Sequence, residues 1–262
     1  MLAEGTFDRF KDTFSTEEIA KSFEVEDNGS NTTIFCFAGA AILYAGLPAF
    51  EFRKILKETG CSCNLVFFRD SRRMGYHVAP DGQRNGLAFY EKKVFELIGQ
   101  LKSSHNVALG SSHGGTAAFY FACRCSMNKV IAFDPVLEWR AHVGARVLLR
   151  MGQNTKIFTA PRLYMKNMAL NVGAQVLLNK MARELGKDAL WDVLKEYRGH
   201  PSRPRATVFY GERFWLDALQ AKLIADLPEV RLIPLPYDTH NCGAYLKARG
   251  ELGSAIMREV NT

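Results

Sequence analysis

The chain has no uninterrupted apolar stretch of membrane-spanning length. Its longest apolar run, residues 34–50, is broken by Gly39, Gly46 and Pro48, whereas a spanning helix needs about 20 consecutive apolar residues. That run reads as a buried strand followed by a loop, so no membrane span is expected. A secretory leader is also missing, because the opening MLAEGTFDRFKDT places Glu and Asp where a basic start and an apolar core would stand. A cytoplasmic location is the expectation. Among the six cysteines no C-x2-C pair occurs, only C-x-C at Cys61/Cys63 and at Cys123/Cys125, which is not the spacing of structural zinc. Neither a metal nor an organic cofactor is expected, and the thiols are expected to be reduced. Internal repeats and low-complexity tracts are absent, and 47% of residues are hydrophobic against 23% charged. Collagen, coiled coil, mucin-like stalk and wholesale disorder are thereby excluded.

What remains is an ordinary globular composition over 262 residues, a length that α/β folds often use as one unit. The first thirty residues carry Phe7, Phe10, Phe14 and Ile19 at helical spacing and read as one or two amphipathic helices ending at the turn signal Asn28-Gly29-Ser30. Beyond them, short runs rich in Val, Ile and Phe recur at 33–38, 64–68, 106–109, 129–133, 207–210 and 230–235, mostly separated by helical stretches. This alternation predicts an α/β fold with a mostly parallel sheet and helices on both faces. The beat lapses between 133 and 207, where helical patterns hold instead, closing on the breaker Gly199-His200-Pro201-Ser202-Arg203-Pro204.

The net charge of +7 is not spread evenly. Residues 136–205 hold thirteen Lys/Arg against five acids, which leaves the rest of the chain slightly acidic. A local excess points to an anionic substrate portion or an acidic protein surface, with Arg140 and Arg146 as candidate contacts; a solvated helical face is the plainer alternative. No nucleic-acid motif accompanies it, so nucleic acid is not expected as a partner.

The chemistry concentrates in Gly110-Ser111-Ser112-His113-Gly114, where an apolar strand runs through G-x-S-x-G directly into an Ala- and Phe-rich helix. This is the context of a nucleophile elbow, a turn so tight that the positions two before and two after the serine need glycine. Ser112 is the candidate nucleophile. A serine hydroxyl needs a base, usually a histidine held by a carboxylate. His240 follows the last expected strand in a loop and fits the chain order Ser, acid, His. Asp217 is the leading acid, after the strand at 207–210, with Glu212 and Asp134 as alternatives. For the oxyanion, one N–H is expected from His113 and a second from the small-residue loop Phe37-Ala38-Gly39-Ala40, with Ala40 preferred and Gly39 next.

On these residues the chain resembles the α/β-hydrolase superfamily from residue 33 onward. The resemblance implies one core, residues 1–135 and 206–262, with residues 136–205 similar to the cap such enzymes insert. Members often carry the acid three residues after the glycine that ends the penultimate strand, where this chain has Phe214. A weaker likeness, on Phe37-Ala-Gly, Arg69-Asp70, the GSSHGG elbow and Phe133-Asp-Pro, is to a bacterial branch of hydrolase-like proteins. Arg69 could line the site or form a structural ion pair. The expected function is hydrolysis of carboxylic esters, on a small-molecule or carrier-bound acyl ester; a thioester or lactone fits the same triad. A non-catalytic binding or assembly protein is the alternative of another class, and a homodimer is left open.

Overall fold

The computed structural model describes residues 21–39, 49–138, 183–186 and 192–262. Their apolar runs become a seven-stranded sheet: β1 (Phe23–Glu26), β2 (Thr32–Phe37), β3 (Asn64–Phe68), β4 (His105–Ser111), β5 (Lys129–Phe133), β6 (Arg205–Gly211) and β7 (Val230–Leu235). Helices α1 (Arg53–Glu58), α2 (Gly86–Leu101), α3 (His113–Arg124), α4 (Val193–Gly199), α5 (Trp215–Lys222), α6 (Cys242–Ala248) and α7 (Leu252–Val260) complete the described elements. The strand order is β1-β3-β2-β4-β5-β6-β7. All neighbours are parallel except β1, which runs antiparallel to β3.

Strands β3 and β5 are buried along their whole length, as parallel strands covered on both faces must be. Side-chain alternation splits the core into two layers. Phe35, Phe37, Val66, Phe68, Ala108 and Val130 face α2, α3 and α4, while Ile34, Cys36, Leu65, Phe67, Leu109 and Ile131 face α1, α6 and α7. β7 is only half-buried and carries Pro234, which an edge strand tolerates because one row of its backbone groups is unpaired.

One expectation is corrected at the start of the chain. Residues 23–26 form a strand, not the end of a helix. Phe23-Glu24-Val25-Glu26 alternates with the period of a strand, and the open edge of β3 takes it in register from Phe23 opposite Phe68 to Glu26 opposite Leu65. The helical pattern at Phe7 to Ile19 lies outside the described residues.

After β2 the chain moves outward to β3 and then returns to the other side of β2 as β4. The order therefore reverses between β2 and β4, and in open α/β sheets the crevice beyond the carboxyl ends of the strands at such a reversal is where ligands bind. Of the segment expected as the cap, residues 136–204 lie between β5 and β6, and Arg205 already opens β6. The described start of that segment is pinned to α5, since the Gln220 side-chain oxygen accepts the N–H groups of Leu137 and Glu138 at 2.9 and 3.0 Å. At its far end α4 packs on α3 through Tyr197, edge-on to Phe119 at 4.9 Å between centroids.

Candidate active site

The turn from β4 into α3 shows why its glycines are needed. A Cβ on Gly110 would fall on the backbone of Gly114, and one on Gly114 would fall on the carbonyl of Phe37 in β2. With both side chains absent, Ser112 takes φ 52°, ψ −118°, a region few non-glycine residues occupy. Its N–H is tied to the carbonyl of Phe133 at 2.7 Å, and the residue stays partly exposed at the end of the sheet.

Ser112 Oγ lies 2.7 Å from Nε2 of His240, and Nδ1 of His240 lies 2.6 Å from Oδ1 of Asp217. The hydrogen-bond network thus assigns the Nδ1 proton to the carboxylate side and leaves the Nε2 lone pair for the hydroxyl. Burial lowers the pKa of His240, which favours the neutral ring that can accept a proton. Asp217 reaches His240 although Phe214 occupies the position where the family resemblance places the acid. Phe214 turns on the carbonyl of Gly211 and α5 begins at Trp215, so Asp217 lies three residues further on, in the first turn, on the same side of the helix as Phe214. The Phe214 ring itself stands 6.1 Å from the His240 ring.

The alternatives for the acid separate clearly. Glu212 is exposed, with its N–H on the carbonyl of Leu235. Asp134 is buried and lies beside Asp217, but its oxygens accept the N–H groups of Gly211 and Cys242 at 3.1 and 2.6 Å. His113 occupies the first helical position of α3, where the backbone N–H has no partner within the helix. Its ring is buried, and burial, with His77 and His240 nearby, brings its pKa down to about 3. Ala40, Arg140 and Arg146 lie outside the described residues. Arg69 turns away to the β1 edge, where Nε donates to the carbonyl of Lys21 at 2.7 Å and the guanidinium sits 4.7 Å over the Phe50 ring. Asp70 accepts the N–H groups of Arg72 and Tyr76 at 3.2 and 3.0 Å, which shapes the loop after β3.

One neighbour of the nucleophile has no signal in the sequence. The position a Cβ on Gly39 would take is 3.3 Å from Oε1 of Glu51 and 3.9 Å from Cβ of Ser112, so a carboxyl and the serine both border Gly39. Burial pushes the Glu51 pKa up to about 7, against the opposing pull of the Gly39 N–H. Eleven residues separate Glu51 from Gly39 in the sequence, and no motif spacing links them.

All six cysteines are free thiols. Among the described residues no cluster of His, Cys, Asp and Glu could hold a metal ion, and no helix is long and apolar enough to cross a membrane.

No protein-family model matches the chain, and no curated protein matches it by sequence. Solved structures do match in fold. The capsule O-acetyltransferase of Neisseria meningitidis serogroup A is 12% identical with a TM-score of 0.59, covering 92% of this chain and 90% of that one. A hydrolase from Oleispira antarctica is 12% identical with a TM-score of 0.53, covering 95% and 98%. MenH from S. aureus is 12% identical with a TM-score of 0.52, covering 92% and 99%. These neighbours are α/β-hydrolase-fold proteins, and the present chain has that fold.

Proposed function

From an α/β-hydrolase fold whose structural neighbours are hydrolases and related enzymes, we propose that this protein is a serine enzyme that cleaves carboxylic esters through an acyl-enzyme. The observation that carries the reading is the continuous hydrogen-bonded series Ser112, His240, Asp217 at the carboxyl ends of β4, β7 and β6. Ser112 Oγ attacks the acyl carbonyl while His240 Nε2 takes its proton. Asp217 holds the ring and balances the imidazolium charge, and His240 returns the proton to the leaving alkoxide. Water then enters and gives a proton to His240 as its oxygen attacks the acyl carbon, and His240 passes that proton to Ser112 Oγ as the acid leaves. The developing oxyanion falls to the N–H of His113 and to one from the 37–40 loop, with Ala40 as donor.

Residues 136–205 serve in this reading as a basic cap, with Arg140 and Arg146 available to an anionic portion of the substrate. Glu51, which borders Gly39 together with Ser112, disfavours a further negative charge when it is ionised, so an anionic group fits best away from the scissile bond. The same machinery accepts a thioester or a lactone. Transfer of the acyl group to a hydroxyl acceptor in place of water is the second reading, favoured by the match to an O-acetyltransferase over nine-tenths of both chains.

Intact-mass labelling with a fluorophosphonate tests the reading. One adduct on the wild type, lost in Ser112→Ala, is the expected result. A folded wild type that takes no adduct overturns it and favours a non-catalytic binding role. A p-nitrophenyl ester series, paired thioesters, and hydroxyl acceptors in competition with water then separate the substrate classes.

A further inference from the structure

The loop that closes β5 carries a second carboxyl, which the series Ser112, His240, Asp217 does not use. Asp134 has φ 47°, a left-handed conformation that a non-glycine residue adopts at a cost. Its backbone N–H donates to the carbonyl of Phe209 at 2.8 Å. Its side chain binds in two directions: Oδ1 accepts the N–H of Gly211 at 3.1 Å and Oδ2 that of Cys242 at 2.6 Å. One residue is thus fastened both to the end of β6, from which the Asp217 loop departs, and to α6 two residues beyond His240.

Asp134 and Asp217 are each 2% exposed. Oδ1 of Asp217 is engaged by His240. Its Oδ2 is buried and meets no hydrogen-bond donor among the described residues, and besides His240 the Asp134 carboxyl also reaches Asp217. Two carboxylates cannot both ionise side by side in a buried pocket without a large penalty. A proton on Asp134 removes that penalty and supplies the donor that Asp217 Oδ2 lacks.

We propose that Asp134 and Asp217 share one proton and face His240 as a single, singly charged unit, in which Asp217 touches the imidazole and Asp134 is a positioning residue. The proposal deepens the serine-enzyme reading and rests on it for its kinetic consequence, but not for the shared proton itself.

The titratable groups facing Asp134 are Asp217 from α5, His240 from the loop after β7, and the Cys242 thiol from α6. Burial first, and the neighbouring Asp217 second, push the Asp134 pKa up to about 8, while His240 and the bonds from Cys242 pull it down. Below that value the unit holds its proton and carries one negative charge. Above it a second charge stands beside His240, and Asp217 Oδ2 loses its donor.

Two measurements on Asp134→Asn and Asp134→Leu test this. Asparagine keeps the shape and supplies a donor but cannot titrate, and it gives up one of the two backbone N–H bonds that Asp134 accepts, whereas leucine supplies neither donor nor acceptor. In infrared difference spectra at neutral pH, wild type minus Asp134→Asn is expected to show one protonated-carboxyl band that disappears as pH rises through about 8. In the second measurement the fluorophosphonate labelling rate of the wild type carries an inflection near that pH, which Asp134→Asn lacks. Asp134→Asn labels within about tenfold of wild type at pH 7, while a folded Asp134→Leu loses about a hundredfold or more. No carboxyl band, or an inflection kept in the asparagine variant, overturns the shared proton. If Ser112 does not label at all, the serine reading falls while the infrared band still decides the carboxyl pair.

Discussion

The amino ends of β2 and β3 and the carboxyl ends of the strands around Ser112 are built from different polar chemistry. At the amino ends of β2 and β3, Asn64 is fully buried. It accepts the N–H groups of Asn28 and Ser30 and donates to the carbonyl of Ser30 and to the hydroxyls of Thr33 and Ser103, at 2.8 to 3.3 Å. Every member of that cluster is neutral, and both atoms of the amide are used. At the carboxyl ends stand His240, Asp217, Asp134 and Glu51, all of which can change charge, with one buried carboxylate oxygen left without a donor. Two members of this end, Ser112 and Asp134, also take positive φ. Burial is comparable at the two ends, so burial alone does not mark a functional site. What marks it is a serine hydroxyl, an imidazole and a buried carboxylate joined in one hydrogen-bonded series.

That contrast can be broken from either side. The largest effect is expected at the nucleophile: Ser112→Ala lowers ester turnover by about a thousandfold or more with little change in thermal stability, checked by steady-state kinetics beside calorimetry. Asp217→Asn follows, with a loss of about a hundredfold or more because the imidazole loses the partner that fixes its tautomer.

Asn64→Ala should do the reverse. It strands several buried donors and acceptors and costs about 2–4 kcal/mol in chemical denaturation, while the pH profile of Ser112 labelling keeps its shape. A change in that profile would show that the two ends are coupled.

Stability against pH sharpens the comparison further. The unfolded chain releases the Asp134 proton above about pH 4, whereas the folded protein keeps it up to about 8. The contribution is therefore fully present below the lower value and is lost as pH rises across that window. Relative to Asp134→Asn, the wild type should lose up to about 1.4 kcal/mol per pH unit there, measured as the difference in unfolding free energy at several pH values. The smallest effect is expected at Glu51, which is neutral below about 7 and negative above it. Negative charge beside the forming oxyanion is unfavourable. Glu51→Gln should therefore label about two- to fivefold faster than wild type at pH 8 and match it at pH 6, on the scale of a weakly screened neighbouring charge.

The sheet was legible because buried parallel strands read as apolar runs. Residues 64–68 and 129–133 coincide with β3 and β5, and the glycine spacing around Ser112 anticipated the turn that β4 and α3 make. The acid was harder. Asp217 and Asp134 follow different strands 83 residues apart, and linear order cannot reveal that parallel packing of β5 against β6 brings both carboxyls together. Glu51 was invisible for the same reason, since only the folded chain sets it against Gly39. β1 escaped because four residues between a helix-like pattern and a turn become a strand only when the edge of β3 is there to pair with them.

The joint at Gly110 and Gly114 has a consequence for how such a protein can change. There β4, α3 and β2 meet backbone to backbone, with no side chain between them to act as a shim. Core substitutions elsewhere alter side-chain volumes but find no spacer here to swell or shrink, so the height of Ser112 above the end of β2 is a fixed datum. Loops around the crevice are free to drift in length and composition, and with them the substrate, while the reacting oxygen keeps one coordinate. Even a single methyl at either glycine has nowhere to go, which makes this joint a place where the chain tolerates little and the surrounding rim a place where it tolerates more.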